Sequence, residues 1–106
     1  MKKINIGING FGRIGRTLFR LLDAHPNLNV VAINDLADAR TLSHLLKYDS
    51  IHGVFNHQVT YKDNTIVVND KNITLTNHKT PIDIKWSDYD VDIVVECSGK
   101  FKTKES

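Results

Sequence analysis

The sequence predicts an α/β fold with a doubly wound, mostly parallel sheet and one small antiparallel meander. Apolar, β-branched runs predict strands, and a segment with apolar residues every three or four positions separates the first two runs. A strand, a helix and a strand in this order predict a parallel pair joined by a right-handed crossover. With 106 residues, 41% of them hydrophobic and 25% charged, residues 1–106 are expected to form a single domain.

The first strand, helix and strand occupy the first third of the chain. Residues 3–9 alternate isoleucine with Asn and Gly, which predicts a strand with one apolar face. The helix that follows ends near Pro26, because the residue before a proline disfavours the helical conformation, and residues 28–33 form the second apolar run. Helical spacing predicts that one buried stripe on this helix contains Ile14, Leu18, Leu21 and Leu22.

The rest of the chain predicts a second helix, the meander and one more strand. Residues 38–47 have a helical apolar pattern, and Asp38 is placed to cap the first turn. Residues 91–97 form an apolar run that predicts a buried strand, with which the chain rejoins the parallel sheet. Short β-rich runs separated by turn-forming residues predict the antiparallel meander at 58–61, 65–68 and 73–76.

The composition gives no case for a nucleic-acid-binding protein or for a membrane protein. There are 14 Lys and Arg against 12 Asp and Glu, which leaves a net charge of +2 with the basic residues scattered. No run approaches the ~20 apolar residues that span a bilayer. The single cysteine, Cys97, argues against an internal disulfide framework and fits a cytoplasmic protein. Histidines, cysteines and carboxylates do not occur at the usual spacings of metal ligands, so no metal is expected.

A glycine-rich loop joins the first strand to the first helix. Gly10, Gly12 and Gly15 form the pattern G-x-G-x-x-G, in which the first glycine allows a tight turn and the second admits a pyrophosphate close to the backbone. The third lets helix and strand pack closely. The amides of Arg13 and Ile14 in the first helical turn then face the phosphates. The loop therefore predicts a Rossmann-type domain that binds a dinucleotide.

An acidic residue supports this interpretation of the loop. Asp35 lies at the end of the second predicted strand, 20 residues beyond Gly15, where dinucleotide-binding domains place a carboxylate on the adenosine ribose. A carboxylate there repels a 2′-phosphate, so it favours NAD over NADP. The alternative interpretation is that Asp35 is a plain turn or cap residue.

The residues around this loop resemble one enzyme family. Residues 8–16, with the sequence INGFGRIGR, are similar to the opening of glyceraldehyde-3-phosphate dehydrogenases. Residues 34–36, 45–53 and 96–101 resemble further segments of the same family, so the resemblance covers nearly the whole chain.

The resemblance implies a site for NAD with three parts. Gly12, Arg13 and Ile14 would contact the pyrophosphate, and Asp35 would bind the adenosine ribose. Lys79 stands where family members usually have an arginine on the adenine side; lysine keeps the charge but lacks the flat guanidinium. Together with residues toward the nicotinamide, the candidate cofactor-binding residues are Asn9, Gly10, Phe11, Gly12, Arg13, Ile14, Gly15, Asn34, Asp35, Lys79, Ser98, Gly99 and Phe101.

The resemblance also implies that the domain is truncated. The family's nucleophilic cysteine and its histidine base lie in a later stretch, so the chain is expected to lack the last strands of the cofactor domain and the whole catalytic domain. It would then be inactive alone, whereas the full-length protein would oxidise an aldehyde with NAD as a homotetramer. Cys97 is interpreted as a small buried hydrophobic residue, and no catalytic residue is expected in the chain.

Two alternatives remain open from the sequence. Erythrose-4-phosphate dehydrogenases share the same opening and much of the middle segment, so the substrate is not decided by these residues. A non-catalytic module that uses the nucleotide-binding fold to bind a partner, including nucleic acid, would also carry the glycine loop. NAD is the expected ligand in the leading interpretation, and no membrane partner is expected.

Overall fold

A computed structural model describes residues 3–48, 58–79 and 84–97. These residues form a six-stranded sheet with the order β3-β4-β5-β2-β1-β6, which is flanked by helices. The elements are β1 (Ile4–Asn9), α1 (Arg13–Asp23), β2 (Leu28–Asn34), α2 (Ala39–Tyr48), β3 (Val59–Lys62), β4 (Thr65–Val68), β5 (Lys71–Thr76), a short 3-10 helix (Trp86–Tyr89) and β6 (Ile93–Glu96).

The sheet is parallel in its centre and antiparallel at one side. β1 pairs in parallel with β2 and β6, and β2 pairs in parallel with β5. β3, β4 and β5 run antiparallel, which confirms the predicted meander and shows that its last strand joins it to the parallel part. Asn69 and Asp70 connect β4 to β5 with φ values of 48° and 70°, the left-handed conformation that tight hairpin turns require.

The core lies between one face of the sheet and the two helices. Ile8, Ile33 and Leu75 are register partners on β1, β2 and β5, and each is buried. Phe19 of α1 and Leu42 and Leu46 of α2 pack into the same cluster. Both helices therefore cover this face, as right-handed crossovers from β1 to β2 and from β2 to β5 require.

The predicted apolar stripe of α1 is partly wrong. Ile14 and Leu21 are 67% and 66% exposed, whereas Phe19 is buried and Gly15 faces inward. α1 carries apolar residues on more than one side, so their spacing does not fix which side meets the sheet. The close approach of Gly15 to the Gly10 carbonyl fixes it instead, and this approach turns Ile14 toward solvent.

The burial predicted for the last strand is also wrong. β6 does rejoin the sheet in parallel, but Ile93 and Val94 are 50% and 41% exposed. Among the strands that the structure describes, β6 lies at the edge and pairs with β1 alone. Val95 packs against the core, so the strand is covered only in part.

The 3-10 helix lies against the face of β1 that points away from Ile6 and Ile8. A Cβ atom on Gly7 would lie 2.6 Å from Cζ3 of Trp86, so the indole occupies the space that a side chain would take. Among the described residues, no helix is long and apolar enough to cross a membrane.

Candidate functional site

Among the described residues, those predicted to bind the cofactor gather at one edge of the sheet. β1, β2, β5 and β6 run in parallel, so their carboxyl ends meet there. The loop after β1 and the segments after β2 and β5 leave the sheet at this edge. In open α/β sheets, ligands bind outside the carboxyl ends of the strands.

The glycine loop has the backbone that its sequence predicts. Gly10 has a φ of 97°, a conformation that residues with a side chain rarely adopt. A Cβ atom on Gly15 would overlap the carbonyl oxygen of Gly10, so the start of α1 packs directly on the end of β1. Apart from its chain neighbours, a Cβ atom on Gly12 would meet none of the described residues within 4 Å. The loop therefore needs the first and third glycines for its own shape, and the second glycine faces open space.

Phe11 anchors the loop through both its ring and its backbone. The Phe11 ring is buried and meets the Phe19 ring edge to face, with ring centroids 6.0 Å apart. The Phe11 amide donates a hydrogen bond of 2.7 Å to Oδ2 of Asp35, and its carbonyl accepts one of 3.1 Å from Nη1 of Arg16. Phe11 is thus an anchor whose side chain lies in the core, so only its backbone borders the site.

The amino terminus of α1 is suited to an anion. Its N-cap is Gly12, which offers no side-chain acceptor, and its first turn contains no acidic residue. The first amides of a helix lack intrahelical partners and carry the positive end of the helix dipole. Arg13 and Ile14 are exposed in this turn. The open space at Gly12 and these amides fit a pyrophosphate.

The predicted ribose acceptor lies beside the loop. Asp35 follows the last residue of β2, where its carboxylate accepts the Phe11 amide at Oδ2 and the Ala37 amide at Oδ1, at 2.7 and 3.0 Å. An ionised carboxylate offers about four lone-pair positions. Capacity for ligand hydroxyls therefore remains after both amides are bound.

The last residues of the four parallel strands form a hydrogen-bonded row, here called the polar row: Thr76, Asn34, Asn9 and Glu96. Oγ1 of Thr76 donates to Oδ1 of Asn34 at 2.7 Å, and Nδ2 of Asn34 donates to Oδ1 of Asn9 at 2.9 Å. Nδ2 of Asn9 then donates to Oε1 of Glu96 at 2.8 Å. The row crosses the sheet directly beneath the glycine loop, whose Gly10 amide donates to the Asn34 carbonyl.

Sequence reasoning placed Asn9 and Asn34 near the cofactor but missed Thr76 and Glu96. The missed signal is positional, because each of these residues ends a strand and the registers bring the four ends into line. Lys79 is exposed and lies in the segment after β5. Ser98, Gly99 and Phe101 lie outside the residues that the structure describes.

Cys97 has the environment of a structural thiol. It packs against the core, and its amide donates to the Asn9 carbonyl at 2.7 Å. Burial, together with the neighbouring Glu96 carboxylate, raises the pKa of the thiol. A nucleophilic cysteine needs a lowered pKa, so the environment fits the predicted structural role.

A cavity of about 530 Å³ lies elsewhere, between α2 and β3. Its lining includes Arg40, His44, Tyr48 and Tyr61 and none of the candidate cofactor-binding residues. The candidate cofactor site is instead recognised from the backbone of the glycine loop and from the strand ends. In the part of the chain that the structure describes, no group of three or more His, Cys, Asp or Glu side chains could hold a metal ion.

The sequence matches the model of a known protein family over a range that includes this site. The family described as "Glyceraldehyde 3-phosphate dehydrogenase, NAD binding domain" matches residues 4–104. The chain belongs to this family. The match supports NAD as the cofactor, as the glycine loop predicts. It also confirms the predicted Rossmann-type fold.

The chain is also similar to curated proteins that are named glyceraldehyde-3-phosphate dehydrogenase. Glyceraldehyde-3-phosphate dehydrogenase 1 of Bacillus cereus is 54% identical over 93% of this chain and 30% of its own length. The enzymes of Geobacillus stearothermophilus and Mycoplasma pneumoniae are 49% and 47% identical over 96% and 98% of the chain. The chain spans less than a third of the length of these relatives, at 30% and 31%.

Proposed function

We propose that the chain binds NAD across the carboxyl edge of the sheet, with the pyrophosphate on the glycine loop. The observation that carries this proposal is the open space at Gly12 beside the uncapped start of α1. A pyrophosphate there accepts hydrogen bonds from the first amides of α1, including those of Arg13 and Ile14. The charge of the Arg13 side chain adds to the positive end of the helix dipole.

The adenosine end of the cofactor extends toward Asp35 and Lys79 in this proposal. The Asp35 carboxylate accepts hydrogen bonds from the ribose hydroxyls while it keeps the Phe11 amide. The same negative charge disfavours the 2′-phosphate of NADP. Lys79 supplies a positive charge on the adenine side, without the planar stacking of an arginine.

The nicotinamide end extends toward the segment after β6. Ser98, Gly99 and Phe101, which follow Cys97 in the sequence, are the residues proposed to border it. The bound nicotinamide supplies a hydride acceptor, and the chain supplies its position. Within the chain, the work of the described residues is to bind and orient the cofactor.

Titration of the chain with NAD tests this function. NMR amide shifts are expected at the first turn of α1 and at Asp35, and Gly12→Ala is expected to abolish them because the new methyl group enters the pyrophosphate space. The Gly12→Ala chain is expected to remain folded, since none of the described residues other than the chain neighbours lies within 4 Å of that methyl position.

The control variant for this titration is Asn72→Ala, an exposed position on β5 in the meander. It is expected to bind NAD as the unchanged chain does. NAD binding by Gly12→Ala with undiminished affinity would contradict the proposed site. The absence of any shift in a folded, unchanged chain at millimolar NAD would contradict the function itself.

The proposal extends to the complete protein that contains this chain, which we take to be a cytoplasmic, homotetrameric glyceraldehyde-3-phosphate dehydrogenase. The names of the curated relatives support this substrate. The complete protein is expected to form NADH from glyceraldehyde 3-phosphate and phosphate faster than from erythrose 4-phosphate. The opposite preference would assign it to the erythrose-4-phosphate enzymes, and sedimentation would test the tetramer.

A further inference from the structure

The side chain of Asn34 uses its whole hydrogen-bonding capacity inside the protein. Its Oδ1 accepts from Oγ1 of Thr76 at 2.7 Å and from the His78 amide at 2.8 Å. Its Nδ2 donates to Oδ1 of Asn9 and to the His78 carbonyl, both at 2.9 Å. An asparagine side chain offers two donors and two acceptor lone pairs, so none is left for a ligand. Asn34 is also only 4% exposed.

The two bonds to His78 hold the chain beyond the end of β5. Asn34 bonds both the amide and the carbonyl of His78, as a backbone residue of a neighbouring strand would. The parallel pairing of β2 with β5 stops at Thr76, so the Asn34 side chain extends the connection by two residues. This fixes the backbone immediately before Lys79.

Asn77 ties the same segment to the chain after β2. Its Nδ2 donates to the Asp35 carbonyl at 2.7 Å and to the Ala37 carbonyl at 3.2 Å. Asp35 in turn accepts the Phe11 amide from the glycine loop. The ribose acceptor, the loop and the segment that carries Lys79 are therefore joined in one network, in which the Asn34 side chain is buried.

We propose that Asn34 is a positioning residue for the adenosine half of the cofactor, acting through the segment that carries Lys79. This inference rests on the proposed function, because it needs the adenosine to lie between Asp35 and Lys79. Asn34 does not touch the cofactor. It sets the separation between Asp35 and Lys79, which do touch the cofactor. Loss of the Asn34 side chain therefore weakens the binding of ligands that contain adenosine and spares ligands that reach only the glycine loop.

The test compares ADP with inorganic pyrophosphate as probes of the folded chain. Asn34→Ala is expected to weaken ADP binding about tenfold, while pyrophosphate binding changes by less than about twofold. In a Lys79→Ala background, Asn34→Ala is expected to have no further effect on ADP binding, since residues that act through one another are not additive. A role limited to stability would weaken both probes equally.

Asn29→Ala is the matched control. Asn29 is on the same strand, and its Nδ2 donates to Oδ1 of Asn5 on β1 at 3.4 Å, at the other end of the sheet. Both probes are expected to bind the Asn29→Ala chain as they bind the unchanged chain. If Asn34→Ala does not fold, Asn77→Ala provides the same comparison from the exposed side of the segment, with an expected weakening for ADP of about threefold.

Three outcomes separate the proposals. Equal weakening of ADP and pyrophosphate, or additive effects of Asn34→Ala and Lys79→Ala, would overturn the positioning role and leave the NAD site intact. If the unchanged, folded chain binds neither ADP nor pyrophosphate, the proposed function is overturned. Selective loss of ADP binding that depends on Lys79 supports the inference.

Discussion

The two ends of the strands β1 and β2 carry the same pair of residues in different surroundings. At the carboxyl end, Asn34 donates to Asn9 at 2.9 Å, and both side chains are buried within the polar row. At the amino end, Asn29 donates to Asn5 at 3.4 Å, and neither residue is buried. The polar pair is thus buried at the carboxyl end and only half-buried at the amino end.

The difference shows how polar residues prepare a binding surface before a ligand arrives. A buried amide without a partner costs about 1–3 kcal/mol, so the burial of Asn34 enforces its bonds. An exposed amide can exchange its partner for water at little cost. The strand ends at the carboxyl edge are therefore held in place, which reduces what the protein must order when the cofactor binds.

The largest change in the free energy of unfolding is expected for a substitution of Gly15, at the carboxyl end of the strands. Helix propensity alone favours Gly15→Ala by about 1 kcal/mol, but the added methyl overlaps the Gly10 carbonyl, and backbone must move. The overlap is expected to dominate, and the free energy of unfolding should fall by about 3 kcal/mol in urea denaturation.

Gly12→Ala is the matched variant in the same loop. It replaces an N-cap glycine without any overlap and is expected to lower the free energy of unfolding by about 1 kcal/mol at most. If Gly12→Ala destabilised the chain more than Gly15→Ala, the packing assigned to the loop would be wrong.

The second difference concerns two aspartates that accept backbone amides. Asp35 accepts the amides of Phe11 and Ala37 at the carboxyl end, whereas Oδ2 of Asp92 accepts the Asn5 amide at 2.9 Å at the amino end. Asp35→Ala is expected to lower the free energy of unfolding by about 2 kcal/mol, because partly buried amides lose their acceptor. It should also weaken NAD binding and reduce the preference for NAD over NADP.

Asp92→Ala is the control at the amino end. Its hydrogen bond is exposed, so the free energy of unfolding should change by no more than about 0.5 kcal/mol, with NAD binding unchanged. Equal effects of the two substitutions in thermal and urea unfolding would show that the two ends of the sheet do not differ in rigidity.

The fold followed from short-range patterns. Strand runs, the glycine spacing and Asp35 are each readable within a few residues: the structure has a strand at each predicted run, a left-handed Gly10 and Asp35 directly after β2. The Asp38 cap is confirmed as well, since the Thr41 amide donates to its Oδ1 at 2.8 Å. Local chemistry alone dictates these features.

The features that the sequence did not predict depend on contacts between distant segments. The rotation of α1 is set by Gly15 against Gly10, and the exposure of Ile93 follows from the edge position of β6. The polar row needs the registers of four strands before its members can be connected. A pattern within one segment contains none of this information.

The smallest effect is expected for Asp38, because its hydrogen bond from the Thr41 amide is exposed to solvent. The hydrogen bond from the Thr41 amide lowers the pKa of the fully exposed Asp38 carboxyl below its usual value. Its contribution to stability is therefore complete above the unfolded pKa of about 3.9 and is lost as the pH falls through the lower folded pKa.

Asp38→Asn keeps an equally good N-cap but removes the titration, so it isolates this contribution. The unchanged chain is expected to be slightly more stable than Asp38→Asn at pH 7, and the difference should vanish as the pH falls through the lowered pKa of the folded chain. Thermal unfolding across this pH range measures it. A difference that stayed constant with pH would mean that the charge of Asp38 contributes nothing to the cap, and that only the geometry of the acceptor matters at this helix start.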